Sequence, residues 1–288
     1  MLSVTIDWLN LTFFDYYDEN GEIRNGTREF ILRYASYGTT VPTTSHNGYA
    51  SASVDENGVS ISWNDDRPEM GHHAVFSGSS LRNIVERNGV SPSQILSAAR
   101  HSGGRIARLD IAIDLVDEPC DGASIFGALQ TMGNRGTART WREIKNNDGG
   151  YTLYVGSRES EKYIRIYNKA AEQHLPGKLW WRFEIETKGQ VARAASVSLA
   201  STHNWAGVFD TIARAMLNPA NCEAYEQFFS KDTIPIGIPK LERQTDRERW
   251  ISEQVISAVA KHYIDHPESE AIERLRQTLD LIDRQKLL

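Results

Sequence analysis

The chain has 288 residues, 40% of them hydrophobic, enough to bury a sizeable core in one large domain or two small ones, which excludes a disordered protein. It has no apolar run of about 18 residues, and its opening residues lack the basic and apolar blocks of a signal peptide, so a cytoplasmic protein with no membrane partner is expected. The net charge of −6 speaks against a chain that coats nucleic acid, yet residues 100–190 carry 14 basic and 12 acidic side chains, which leaves room for a local DNA channel.

In chain order, Val4 to Phe14 reads as a strand. Phe30 to Tyr34, Tyr49 to Ser53, Val59 to Trp63 and His73 to Phe76 read as further short strands, with turns at Asp18 to Gly26 and Asp55 to Gly58. Ser79 to Arg87 is helical, and a second helix opens with Ser91 as cap and Pro92 at its first position, running to about Arg100 before Gly103-Gly104. In Arg105 to Val116, Leu109, Ile111, Ile113 and Leu115 alternate with Asp110, Ala112 and Asp114, so two carboxylates share a strand face and the small Ala112 between them leaves room for an ion. Asp121 caps a helix to about Met132, and Thr137 to Ile144 and Gly150 to Val155 form strands around an Asn-Asp-Gly-Gly turn. Cys120, Cys222 and the His72-His73 pair have no partners at metal-ligand spacing, and ordinary packing is their expected role.

The next two strands carry the chemistry. From Lys162 to Lys169, Tyr163, Arg165, Tyr167 and Lys169 share one face while Ile164 and Ile166 point to the core; from Leu179 to Thr187, Arg182, Glu184 and Glu186 oppose Phe183 and Ile185. Tyrosines and cations thus lie beside carboxylates. A phenol with pKa near ~10 attacks a phosphodiester only with help, which a divalent cation and basic neighbours supply. The competing reading is a solvated face of cross-strand pairs of small energetic value. The element order β-α-β-β-β-β gives an α+β fold, an antiparallel β-sheet with helices packed on one side. Helices at Gln190 to Leu199 and Trp205 to Met216, a Pro- and Gly-bearing linker from Asp232 to Lys240, and charged amphipathic segments at Arg247 to Lys261 and Glu268 to Lys286 follow.

Four runs in order resemble the successive motifs of the Rep_trans family: Ala-Arg-Leu-Asp-Ile-Ala-Ile-Asp at 107–114, Thr-Leu-Tyr-Val-Gly-Ser-Arg at 152–158, Tyr-Ile-Arg-Ile-Tyr-Asn-Lys at 163–169 and Trp-Arg-Phe-Glu-Ile-Glu at 181–186. Ile-Asp-Trp-Leu at 6–9 and Phe-Ser-Gly at 76–78 are similar to its N-terminal motifs. The family holds replication initiators of rolling-circle plasmids and filamentous phages, and relaxases of some integrative elements.

The resemblance implies a catalytic nicking domain over residues 1–190, with residues 191–288 as a helical region for DNA recognition or oligomerisation. It implies Tyr167 as the nucleophile that keeps the 5′ end of a cut origin strand as a phosphotyrosine, with Lys169 and Arg158 holding the phosphate. Asp110 and Glu184 are the implied ligands of Mg²⁺ or Mn²⁺, whose preference is for hard oxygens, with Asp114 and Glu186 as the next candidates. Val75 stands where some relatives carry a glutamate, and Asp7 is a candidate substitute. The implied partners are the origin duplex and a single-stranded nick site, with a host helicase and a second copy of the chain as further candidates. Tyr163 is expected to stack a base or to serve a second transfer that ends replication, and the arginine-rich stretch Arg243 to Arg249 to meet duplex DNA or to form a solvated charged face packed on the sheet. A relaxase of an integrative element, or a non-catalytic origin-binding regulator, is the alternative.

Overall fold

Period-two alternation builds a long antiparallel sheet. The computed structural model describes residues 4–17, 23–25, 30, 41–45, 47–147, 149–239 and 255–286. The strands are β1 (Val4–Phe13), β2 (Asp15–Tyr17), β3 (Ile23–Asn25), β4 (Val41–Pro42), β5 (Ser51–Val54), β6 (Ser60–Trp63), β7 (His72–Ser77), β8 (Arg105–Val116), β9 (Trp141–Lys145), β10 (Tyr151–Val155), β11 (Lys162–Asn168) and β12 (Trp180–Lys188). Ten of them form one sheet in the order β4-β5-β6-β7-β1-β8-β12-β11-β10-β9, every adjacent pair antiparallel, while β2 pairs with β3.

The helices are α1 (Gly78–Asn88), α2 (Pro92–His101), α3 (Gly122–Met132), the single turn α4 (Lys169–Glu172), α5 (Gly189–Ser201), α6 (Trp205–Met216), α7 (Glu223–Glu226), α8 (Ile256–Asp265) and α9 (Glu270–Lys286). Their starts follow the sequence chemistry. Ser91 and Gln94 form a capping box with Pro92 at the first turn of α2, and Asp121 accepts from the Ala123 N–H at 3.0 Å to open α3. Two compact units result, residues 1–241 and 242–288. In the second, Ser269 accepts from the Ile272 N–H at the start of α9, and His262 on α8 shares a 2.9 Å hydrogen bond with the Ser269 hydroxyl.

One face of the sheet is apolar. Leu109, Ile111, Ile113 and Leu115 of β8, Ile164 and Ile166 of β11, and Phe183 and Ile185 of β12 are all buried, and Phe183 packs edge-on against Phe209 of α6 and Phe228 at 5.1 and 5.4 Å. Each such fully buried side chain contributes about 1.5–3 kcal/mol. Since α5 and α6 belong to this core, residues 191–241, read from sequence with the C-terminal part, lie in the first unit.

The α+β architecture and the β-α-β-β-β-β order are those expected. Some boundaries differ. The first strand stops at Phe13, and Ile23–Asn25, expected in a turn, is a strand. Thr137 and Ala138 stay out of β9 because their N–H groups bond the Ala215 and Met216 carbonyls at the end of α6. A Cβ on Gly136 would meet the Met216 oxygen at 2.3 Å, so glycine is required for that approach. The rest of the expected strand after Phe30, most of the turn at 18–26 and the stretch 243–249 lie outside the described residues.

Candidate active site

The second face of the sheet carries the charged residues, and the register arranges them in three cross-strand rows. Trp8, Asp110, Glu186 and Tyr163 form one row across β1, β8, β12 and β11. Ala112, Glu184, Arg165, Tyr154 and Arg142 form the second, from β8 to β9, and Asp114, Arg182, Tyr167, Thr152 and Ile144 form the third. Asp110 and Glu184 therefore sit diagonally on neighbouring strands, with Glu186 directly opposite Asp110.

Burial makes this face unlike a solvated one. Asp110 and Glu184 are each only 1% exposed, and each is held by an arginine. Arg108 Nη2 lies 2.5 Å from Asp110 Oδ2 and 2.8 Å from Glu186 Oε2, and Lys188 Nζ lies 2.7 Å from Glu186 Oε1. Arg165 binds Glu184 Oε1. Burial, against the pull of Arg108 and with the push of Glu184 and Glu186, raises the Asp110 carboxyl to about 7. The donor chemistry, three carboxylates of hard oxygen whose mutual repulsion a cation would relieve, suits Mg²⁺ or Mn²⁺. In the chain alone the arginines supply that relief, and among the described residues no group of three His, Cys, Asp or Glu side chains is arranged as a metal cage.

Asp114 is engaged elsewhere. Arg182 grips it bidentately at 2.8 and 2.7 Å, Trp180 Nε1 donates to it at 2.8 Å, and the third guanidinium nitrogen binds Asp7. Asp7 reaches Arg182 because β1 is bulged there: Ile6 pairs with Ile111 and Trp8 with Asp110, leaving Asp7 as the extra residue. Gly78, first residue of α1, packs on it, and a Cβ there would stand 2.8 Å from Asp7 Oδ1. This contact ties the Ile-Asp-Trp-Leu and Phe-Ser-Gly runs together.

Tyr167 lies within this set. Its hydroxyl donates to Glu184 Oε2 at 3.3 Å, and the phenol is pushed well above its ordinary pKa by burial and by the Glu184 charge, with Arg182 pulling the other way. Lys169 is not the next residue on the strand face. The Asn168 side chain accepts from the Ala171 N–H at 3.0 Å and starts α4, so Lys169 turns over the Tyr167 ring at 5.5 Å and pairs with Glu172 at 2.6 Å. Arg158 lies with the other tyrosine, 5.8 Å over the Tyr163 ring, four strand residues from Tyr167 and thus roughly 13 Å along β11.

Residues 104–227, from the edge of β8 through α7, match the model of the Rep_trans family, described as replication initiation factor. The fold is similar to that of a solved structure described as a rolling circle replication initiator protein from Geobacillus stearothermophilus, with a TM-score of 0.68 and 18% identity over 82% of this chain and 93% of that one. No curated protein matches the chain. The matched segment contains Tyr167, Lys169, Arg158 and all four expected carboxylates, whereas Asp7 and Gly78 reach the site from outside it.

Sequence reasoning passed over Arg108, Arg182 and Tyr154 as site residues. Arg108 and Arg182 were visible as the polar members of alternating strands, but their partners depend on register. Tyr154 required knowing which face of β10 meets Arg165. The histidines and cysteines sit where ordinary packing puts them: His73 is buried, stacked on Tyr49 at 5.7 Å, and Cys222 is buried beside α3. No helix among the described residues is long and apolar enough to cross a membrane.

Proposed function

We propose that this protein initiates rolling-circle replication by nicking and rejoining one strand of an origin, with Tyr167 as nucleophile. The observation that carries the reading is the hydrogen bond to Glu184, a buried carboxylate, from the hydroxyl of Tyr167, a residue that lines a cleft. In the first step the phenol proton passes to Glu184 Oε2 and the phenolate oxygen bonds to phosphorus. The P–O3′ bond breaks, and the 3′ oxygen leaves with the bonding pair and takes a proton from water. The 5′ end stays on Tyr167, and rejoining reverses the sequence.

The chain's own groups prepare this step. Arg182 favours the phenolate, Lys169 over the ring places positive charge next to it, and Arg165 holds Glu184 so that one oxygen stays aimed at the hydroxyl. Asp110 and Glu184, with Glu186 beside them, would hold Mg²⁺ or Mn²⁺, which when bound supplies Lewis-acid charge that favours the phenolate and neutralises the phosphate. Asp114, saturated by Arg182 and Trp180, acts through the position of Arg182.

The test is incubation of the protein with a supercoiled plasmid carrying its own gene and flanking DNA, with Mg²⁺ or Mn²⁺. The expected product is a nicked circle with protein attached to the 5′ end. Tight duplex binding with no nicking in either cation would favour the origin-binding regulator instead.

A further inference from the structure

Tyr154 of β10 stands between two clefts on the charged face. The first, about 360 Å³, is bounded by Tyr154, Arg165, Tyr167, Asn168 and His174; the second, about 410 Å³, by Tyr154, Arg142, Arg158, Gly156 and Tyr163. Each falls within the range of sites that take small planar ligands, roughly 300–1,000 Å³. Tyr154 and Tyr163 stack with ring centroids 5.9 Å apart and planes 20° from parallel. Arg142 lies 5.0 Å over the Tyr154 ring and Arg158 lies 5.8 Å over the Tyr163 ring, so guanidinium groups on exposed residues flank the aromatic pair.

Tyr163, the tyrosine expected from sequence to stack a base, is only 3% exposed, with Tyr154 and Arg158 packed on it. Tyr154 is half-buried, its ring between Tyr163 and the exposed Arg142, so a base reaches it where the Arg142 guanidinium, a displaceable exposed group, now lies. Guanidinium planes and aromatic rings stack on any nucleobase, and the same arginines also pair with phosphate. The first cleft adds a second signal. Arg165 Nε is a buried donor with no acceptor among the described residues, and an unmet buried donor costs about 1–3 kcal/mol. A base carbonyl or a phosphate oxygen entering beside Tyr167 would satisfy it.

We infer that Tyr154 is a wedge that separates two consecutive bases of single-stranded DNA, one seated in each cleft, and so sets the strand's path past Tyr167. This rests on the reading of DNA as substrate. It concerns strand binding, so it can fail while the tyrosine chemistry stands.

The test uses the full chain in EDTA with two fluorescein-labelled probes read by anisotropy: a 20-nucleotide thymidylate strand and an abasic strand of equal length. Wild type binds the thymidylate strand more tightly. Tyr154→Leu, which keeps an apolar side chain on the strand, weakens that binding about 5- to 150-fold, the range of base–aromatic stacking, and leaves the abasic strand unaffected. Tyr154→Phe, which keeps the ring, binds as wild type does. Unchanged thymidylate binding by Tyr154→Leu, or equal losses on both probes, would overturn the inference. So would a wild type that does not distinguish the probes. Covalent adduct formation on a single-stranded origin oligonucleotide, measured in parallel on wild type, reports separately on the proposed function.

Discussion

At the scale of single residues, the site turns on the hydrogen-bonded pair of Tyr167 and Glu184. Glu184 is buried and charged, held by Arg165 and by the Tyr167 hydroxyl, and Tyr167 stays a phenol because burial and Glu184 oppose its ionisation. Removing the Glu184 charge while keeping its shape should therefore remove the proton acceptor. Glu184→Gln is expected to slow single-turnover cleavage of an origin oligonucleotide by about 10²- to 10⁴-fold while strand binding persists. Cleavage at the wild-type rate would show that Tyr167 loses its proton elsewhere. His73 gives a residue-scale prediction about stability. Burial lowers its pKa below the ordinary 6.5, so below that pH the unfolded chain takes up a proton that the folded chain refuses. The His73 contribution is fully present above 6.5 and is lost as pH falls, by up to about 1.4 kcal/mol per unit. Urea unfolding at about pH 7.5 and about pH 5.5 should show a smaller loss in His73→Gln than in wild type, and equal losses would contradict this.

At the scale of elements, the bulge in β1 and the start of α1 act together. Asp7 is the extra residue of the bulge, Arg182 of β12 binds it, and Gly78 leaves room for it. Gly78→Ala puts a methyl group 2.8 Å from Asp7 Oδ1 and should cost about 1–3 kcal/mol in urea unfolding, as overpacking does, together with a loss of cleavage. A neutral Gly78→Ala would mean that the bulge is free to shift. The strands themselves were legible because β8, β11 and β12 alternate core aliphatic or aromatic residues with mostly polar ones, and that alternation alone placed Asp110, Glu184 and Tyr167 on the face opposite the core. What period two cannot give is register. The diagonal relation of Asp110 to Glu184, the closer pairing of Asp110 with Glu186 and the capture of Asp114 by Arg182 all depend on it. Lys169 was read one residue too far along the strand because a side-chain cap, Asn168, ends β11 there. Thr137 was read as strand because its hydrogen bonds go to α6, far away in sequence.

At the scale of the whole molecule, the site lies entirely in the unit spanning residues 1–241. Truncation after residue 241 should leave cleavage of a single-stranded origin oligonucleotide in place and abolish binding to duplex origin DNA by gel shift. Loss of both in a protein that still unfolds cooperatively would contradict this division of labour. The net charge of −6 is no obstacle to a local DNA channel, since the exposed Arg142 and Arg158 lie beside the site, while Arg108, Arg165 and Arg182 are paired with its carboxylates. The claim on which everything else depends is that one phenol oxygen becomes joined to DNA. Tyr167→Phe and Tyr163→Phe each delete one hydroxyl, so the direct measurement is denaturing-gel detection of the protein–DNA adduct on a 3′-labelled single-stranded origin oligonucleotide with Mg²⁺. Tyr167→Phe should bind the strand and form no adduct while Tyr163→Phe still forms one; an adduct with Tyr167→Phe that disappears with Tyr163→Phe would contradict the account.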